Sequence, residues 1–230
     1  MKITTLNLFG VDNWQERQPR IIEYIKKTDP DIVFFQEVVY ITEVSQYNQV
    51  QLLNQDLGYM SEHSSVTRLQ VGRIYPVYRE GLAFISKLPI TKTDTLVLKK
   101  AALDEHNRIV QFIDVVIDNE LVKFAHVHFS ITDVIDFATA HLQEVLEILE
   151  ARGERRIIIG DFNLDNLDST KSLWEENYHA STEFDYMSFP SMSKSIDYVL
   201  IPKTYEFNII ILSDDTLSDH RAVTADISRV

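Results

Sequence analysis

Hydrophobic residues along this chain fall into two patterns, short continuous runs and helical spacings, and their succession predicts an α/β protein. Residues 2–9 alternate apolar and polar side chains as a half-buried strand does, with Asn7 near its C-terminal end. Over residues 14–27, Ile21, Ile22 and Ile25 stand at helical spacing, and Asp29-Pro30 stops the helix. The run Ile32-Val33-Phe34-Phe35 reads as a buried strand with Gln36-Glu37 at its C-terminal end. The three segments make a strand-helix-strand unit, so Asn7 and Glu37 share an edge if the two strands are parallel.

Farther along, residues 41–57 read as a helix closed by Gly58. Residues 59–78 mix aromatics and arginines with Gly72 and Pro76, and read as strands or long loops. A strand is expected over 81–86, a turn into the next strand over 87–90, and a hairpin from 108–118 and 121–129. Ala138, Leu142, Val145, Leu146 and Leu149 make residues 133–152 an amphipathic helix that ends at Gly153. The β-branched run Ile157-Ile158-Ile159 stops at Gly160 and completes a second strand-helix-strand unit, from His128 to Asp161. A short helix over 171–176 and strands over 195–201, 207–212 and 222–227 finish the chain.

Composition narrows the class. The 230 residues are 45% hydrophobic with 6 Gly and 6 Pro and no linker-like stretch, so one domain over 1–230 with a large core is expected. The absence of cysteine removes disulfides, thiolate metal sites and a cysteine nucleophile from consideration. The first residues are too polar for a secretory signal and no apolar run reaches membrane-spanning length, which leads to the expectation of a cytoplasmic protein without a transmembrane segment. A formal net charge of −13 leaves no broad basic surface for holding nucleic acid. Nuclease chemistry stays open, because a bound cation inverts the local field.

The polar residues at strand ends carry the candidate chemistry. Asp161 and Asn163 follow a buried strand and supply oxygen donors of the kind magnesium prefers, although both residue types also close ordinary turns. His126 and His128 point to one face of their strand. Asp197 lies among Ile196, Val199 and Ile201, so its carboxylate needs a partner. Ser218-Asp219-His220 precedes the last strand.

In this order Asn7, Gln36-Glu37-Val38, Gly160-Asp161-Phe162-Asn163, Ile196-Asp197-Tyr198 and Ser218-Asp219-His220 resemble the endonuclease/exonuclease/phosphatase superfamily. The segment from Glu80 to Ile90 resembles that family's central strand and turn, and the resemblance covers the chain from Asn7 to His220. It implies a four-layered α/β sandwich, two packed mixed sheets flanked by helices, with a site at one end. It also implies a magnesium ion, with manganese as a substitute, held chiefly by Glu37 with Asn7 and Asp219 beside it. Asp161 and Asn163 would orient or activate water and bind phosphate, Asp197 would pair with His220, and His128 would take the place of the family's upstream histidine. The base role is assigned to Asp161 ahead of His220.

Arg17, Arg79 and Arg108 are further candidates for substrate phosphate, while Tyr186 and Phe189 line a cleft or pack on the core. His126 is read as a neighbour of His128, and His141 as structural. The function expected is a divalent-metal-dependent phosphoester hydrolase, a phosphodiesterase or phosphatase acting through an activated water. A DNA-directed nuclease of the same family is one alternative, and a catalytically silent binding module is the other. Nucleic acid, an inositol phosphate and a lipid headgroup all stay open as substrates, as does the oligomeric state. Discrimination is expected from residues 40–80, 100–108 and 178–195.

Overall fold

The structure, a computed structural model, describes residues 1–71, 75, 77–131 and 136–230. Its elements in chain order are β1 (Lys2–Asn7), α1 (Trp14–Thr28), β2 (Ile32–Tyr40), α2 (Gln49–Leu57), β3 (Ser61–Gln70), β4 (Tyr78–Ser86), β5 (Ile90–Val97), β6 (Ile109–Ile117), β7 (Glu120–His128), α3 (Phe137–Ala151), β8 (Ile157–Asp161), α4 (Lys171–Trp174), β9 (Tyr178–Ala180), β10 (Asp197–Pro202), β11 (Tyr205–Leu212) and β12 (Val223–Arg229). They form two six-stranded mixed sheets, ordered β11-β12-β1-β2-β4-β3 and β5-β6-β7-β8-β10-β9. Each sheet holds one parallel pair, β1 with β2 and β7 with β8, and each pair is the product of a helical crossover.

Three apolar layers hold the sandwich together. Ile3, Ile32, Phe34, Phe84, Phe124, Ile157, Ile159 and Val199 fill the space between the sheets. Ile21 and Ile25 of α1 and Val50 and Leu53 of α2 cover the outer face of the first sheet, against Val33, Phe35 and Ile85. Ala138, Leu142, Val145 and Leu149 of α3 cover the second, against Val127, Ile158 and Phe162. The order helix, sheet, sheet, helix is the four-layered arrangement expected. Parallel strands buried on both faces explain why Ile32–Phe35 and Ile157–Ile159 read as continuous apolar runs. Among the described residues no helix is long and apolar enough to cross a membrane.

Several boundaries differ from expectation. Helix α2 begins only at Gln49, because Asn48 and Gln51 form a capping box, and the segment before it turns without helix. Asp136 caps α3 by accepting from the Thr139 amide at 2.9 Å, which starts the helix later than its apolar spacing suggested. Strand β2 does not end before Gln36-Glu37 but runs to Tyr40 through a bulge between Phe35 and Val38, with Glu37 in the left-handed region at φ 53°. Strand β3 is a polar edge strand in the stretch expected as strands or loops, and β9 was not anticipated. Gly72, Pro76 and Asp133 lie outside the described residues.

A buried polar chain ties the sheets together beneath the site. His126 of β7 lies 2.7 Å from Gln36 Nε2 on β2 and 2.9 Å from Gln111 Oε1 on β6, and Gln36 continues to Thr5. Gln111 donates in turn to Ser65 Oγ, across the sandwich. Gln36 donates and Gln111 accepts, so the ring is a neutral tautomer protonated at Nδ1. Burial pushes its pKa down to about 3.

Candidate active site

The candidate residues meet because strand ends meet. In the second sheet, His128 pairs in register with Asp161 across β7 and β8, and Asp161 with Asp197 across β8 and β10. Gly160 permits this: its φ is 145°, and a Cβ there would stand 1.9 Å from the Val127 carbonyl oxygen. From the first sheet, Asn7 ends β1 and donates from Nδ2 to Asp161 Oδ2 at 3.0 Å. The sequence's first and second strand-helix-strand units thereby present their polar ends to one cavity of about 280 Å³.

That cavity is lined by Asn7, Glu37, His128, Asp161, Asn163, Asp219 and His220 among the expected residues. Asp197 is fully buried behind His220, whose Nδ1 lies 2.8 Å from Asp197 Oδ2. Ser188 Oγ accepts from the Asp197 amide, Tyr186 donates to its carbonyl, and Phe189 packs on the His220 ring at 4.7 Å between centroids. Tyr186 is thus a support behind the site and Phe189 a wall of it. Asn163, left-handed at φ 51°, donates its amide hydrogen to Asp161 Oδ1 and its Nδ2 hydrogen to the Phe129 carbonyl. Asp161 is held on both carboxylate oxygens.

Charge is unevenly distributed across these groups. Burial alone pulls the His220 pKa down, but the charge of Asp197, the hydrogen bond to it, and Asp161 and Asp219 raise it to about 10. Its imidazole is cationic at neutral pH. His128, 3.6 Å from Asp161 Oδ2, is driven well below the ordinary histidine value by burial and by Arg108 and Arg68, and is neutral. Burial and then Asp197 push Asp161 up to about 6, while His220, Asn7 and Asn163 pull it back. Glu37 rises to about 7, from burial first and from Glu80 and Asp161, with His220 and Arg68 opposing.

Four carboxylates line the cavity, Glu37, Asp161, Asp165 and Asp219, of which Asp165 is paired with Lys194, and among the described residues no hydrogen bond reaches that of Glu37. Such a set of hard oxygen donors fits a divalent cation, which would supply the positive charge Glu37 lacks. Asp161, Asp197 and His220 also lie close enough for one ligand atom of each to fall within 4.8 Å of the others. That second group is better occupied by its own proton, since Nδ1 is committed to Asp197 and the ring is cationic.

Of the three arginines, only Arg108 lines the cavity. Arg17 is instead a structural anchor: its guanidinium donates to the carbonyls of Leu8, Gly10, Asp12 and Leu217, and it is not among the residues lining the cavity. Arg79 is exposed on a separate hollow with Tyr40 and Gln46. His126 belongs to the inter-sheet chain and His141 bridges Ser130 and Lys99, both away from the cavity. Arg68, Glu80 and Lys194 were not expected. Arg68 and Lys194 line the cavity, and Glu80 is buried in an ion pair with Arg68 at 2.8 Å. A larger cavity, about 400 Å³ between α1, α2 and residues 41–47, has mostly apolar walls and holds none of these groups.

A sequence profile of the Endonuclease/Exonuclease/phosphatase family matches residues 4–220. No curated protein matches in a sequence search. Among solved structures, an endonuclease/exonuclease/phosphatase family protein from Leptotrichia buccalis C-1013-b superposes with a TM-score of 0.82 at 18% identity, over 99% of each chain. The human Nocturnin catalytic domain with bound sulfate gives 0.76 at 18% identity, over 100% of this chain and 94% of that one. A mannosyl-6-phosphatase from Bacteroides thetaiotaomicron VPI-5482 gives 0.72 at 16% identity, over 99% of each. At these identities the structures speak for the fold alone.

Proposed function

The chain belongs to the endonuclease/exonuclease/phosphatase family, and from that premise we propose that it is a magnesium-dependent phosphoester hydrolase, one catalytic domain with a single site between its sheets. The observation that carries this reading is the cationic His220–Asp197 pair beside Asp161, in a cavity where, among the described residues, the Glu37 carboxylate has no hydrogen-bond partner. Members of the family are generally hydrolases, and the neighbours above include a phosphatase and a sulfate-binding catalytic domain.

Glu37, with Asn7 and Asp219, would hold the cation, and manganese could replace magnesium there. The bound ion would neutralise charge developing on the phosphoryl and leaving oxygens. His220 donates from the ring nitrogen not used by Asp197 to a phosphoryl oxygen, and Asp197 keeps that ring charged and oriented. Asp161, fixed by Asn7 and the Asn163 amide, accepts a proton from the attacking water. Its raised pKa suits a base at neutral pH better than the cationic His220. His128 stays neutral and helps place Asp161.

The test is hydrolysis of p-nitrophenyl phosphate esters with and without magnesium. Turnover should vanish with chelator and in Asp161→Ala and His220→Ala; turnover that survives all three overturns the reading. The net charge of −13 counts against the DNA-directed alternative, and the intact set of site residues counts against a silent binding module.

A further inference from the structure

We infer that Arg68 and Arg108 form a two-guanidinium clamp for a terminal, dianionic phosphate, so that the substrate is a small phosphate monoester rather than a diester. The inference rests on the phosphoester reading above and names its substrate class.

Both side chains line the cavity, and among the described residues both keep a buried donor without a partner. Arg108 is 2% exposed; its Nε donates to Ser130 Oγ at 3.3 Å, Ser130 donates to Asp104, and Nη2 is left unpaired. Arg68 gives Nε and Nη2 to the same oxygen of Glu80, at 2.8 Å each, and its buried Nη1 is left unpaired. An unmade hydrogen bond on a buried charged group is costly, so two on one cavity wall mark the place of an anion.

Arg68 is aimed there by the backbone. On β3, residues 61, 63 and 65 face inward and 62, 64 and 66 outward, a parity that would expose position 68. A bulge between Val66 and Arg68 resets the parity, and Arg68 turns inward beside Glu80. Gly81, opposite Val66, makes room: a Cβ there would stand 2.0 Å from the Ser65 carbonyl oxygen. The bulge, Gly81 and the buried Glu80 together position one guanidinium.

The donor inventory decides the ester class. The side chains of Arg68, Arg108 and His220 line the cavity in addition to the cation-binding wall, and among the described residues the buried Arg68 Nη1 and Arg108 Nη2 have no partner. A diester presents two non-bridging oxygens and one charge. A terminal phosphate presents three oxygens and close to two charges at neutral pH, which matches the array. Enclosure points the same way. Buried Arg108 lies at the inner wall and the half-exposed Phe9, Ile131 and Met192 at the mouth of the same cavity. A phosphate entering end-on therefore directs a single ester substituent outward, whereas a polymeric diester needs two exits and meets a protein of net charge −13. In the reaction the water oxygen bonds to phosphorus as the ester P–O bond breaks. One water proton passes to Asp161 and then to solvent, and the alkoxide takes a proton from solvent, giving alcohol and hydrogen phosphate.

The experiment compares kcat/KM of the magnesium-loaded protein for p-nitrophenyl phosphate and bis(p-nitrophenyl) phosphate. The monoester should be favoured by roughly tenfold or more. Arg68→Met and Arg108→Met should each lower monoester kcat/KM roughly 10- to 100-fold and shrink that preference, with Arg68→Lys partly restoring it. Equal or greater activity on the diester, or equal losses on both esters in the arginine variants, overturns the clamp while the hydrolase reading stands. Calorimetry on the wild-type protein needs neither folding variants nor turnover: inorganic phosphate should bind roughly tenfold or more tighter than dimethyl phosphate. Equal binding overturns the clamp. Absence of hydrolysis of either ester, with phosphate still preferred, overturns the hydrolase reading and leaves the anion site.

Discussion

Asn7 Nδ2 lies 3.0 Å from Asp161 Oδ2, and this one hydrogen bond joins the end of β1 in the first sheet to the end of β8 in the second. Asn7 also accepts the Phe9 amide at 2.9 Å, so its orientation is fixed from both sides. The bond aligns the sheets and restrains the carboxylate proposed as base.

Replacing Asn7 by Asp converts that donor into a second carboxylate facing Asp161. Stability at neutral pH should fall by about 1–3 kcal/mol in urea titration, with hydrolysis reduced at least tenfold. An unchanged midpoint would show that the bond contributes nothing.

Asp197→Asn should cost roughly 10²–10³ in kcat, because the neutral amide no longer keeps His220 charged. Direct observation of the His220 ring by NMR should show its pKa falling from about 10 toward or below the ordinary range. A ring that remains protonated at pH 8 in the variant would contradict the assignment.

His126 predicts a specific acid sensitivity. Its folded-state pKa, about 3, lies below the unfolded value of about 6.5 because the buried ring excludes charge. Stability from this residue is complete above about pH 6.5 and drains away as pH falls toward 3, where the unfolded chain binds the proton more readily. Urea midpoints measured from pH 7 to 4 should drop more steeply in the wild type than in His126→Gln. Parallel curves would remove His126 from the account.

Two of the glycines with positive φ, Gly160 and Gly58, differ in crowding and should respond differently to alanine. Gly160→Ala meets a carbonyl oxygen at 1.9 Å and should cost more than about 3 kcal/mol and abolish activity. Gly58→Ala, at φ 71° with nothing within 4 Å, should cost about 1 kcal/mol and leave the site intact. Thermal denaturation of the pair checks the contrast.

Magnesium should raise the melting temperature of the wild type and do so much less in Glu37→Gln, since that buried carboxylate, crowded by Glu80 and Asp161, is the group the cation would relieve. A shift that is the same in both proteins would move the cation elsewhere.

Local patterning was enough for much of this molecule. Continuous apolar runs and alternation gave the central parallel strands, helical spacing gave α1 and α3, and polar residues at the ends of those strands gave Asn7, Asp161 and Asn163, while Asp219 came from the family resemblance. These signals survive in the sequence because each depends on neighbours a few residues away. What only the tertiary structure decided depends on residues far apart. Asn7 meets Asp161 across a separation of 154 residues, whereas the Asp197–His220 pair, 23 residues apart, was already implied by the family resemblance. Arg17 reads as a free cation but is consumed by backbone carbonyls, and Arg79 points to another surface. Arg68 sits on a polar strand whose alternation would place it in solvent, until one extra residue in the ladder reverses its facing. The strand end Gly160-Asp161-Phe162-Asn163 was visible from sequence as a carboxylate and an amide after a buried strand. Its partners and protonation were set by packing, because burial and through-space charge have no signature along the chain.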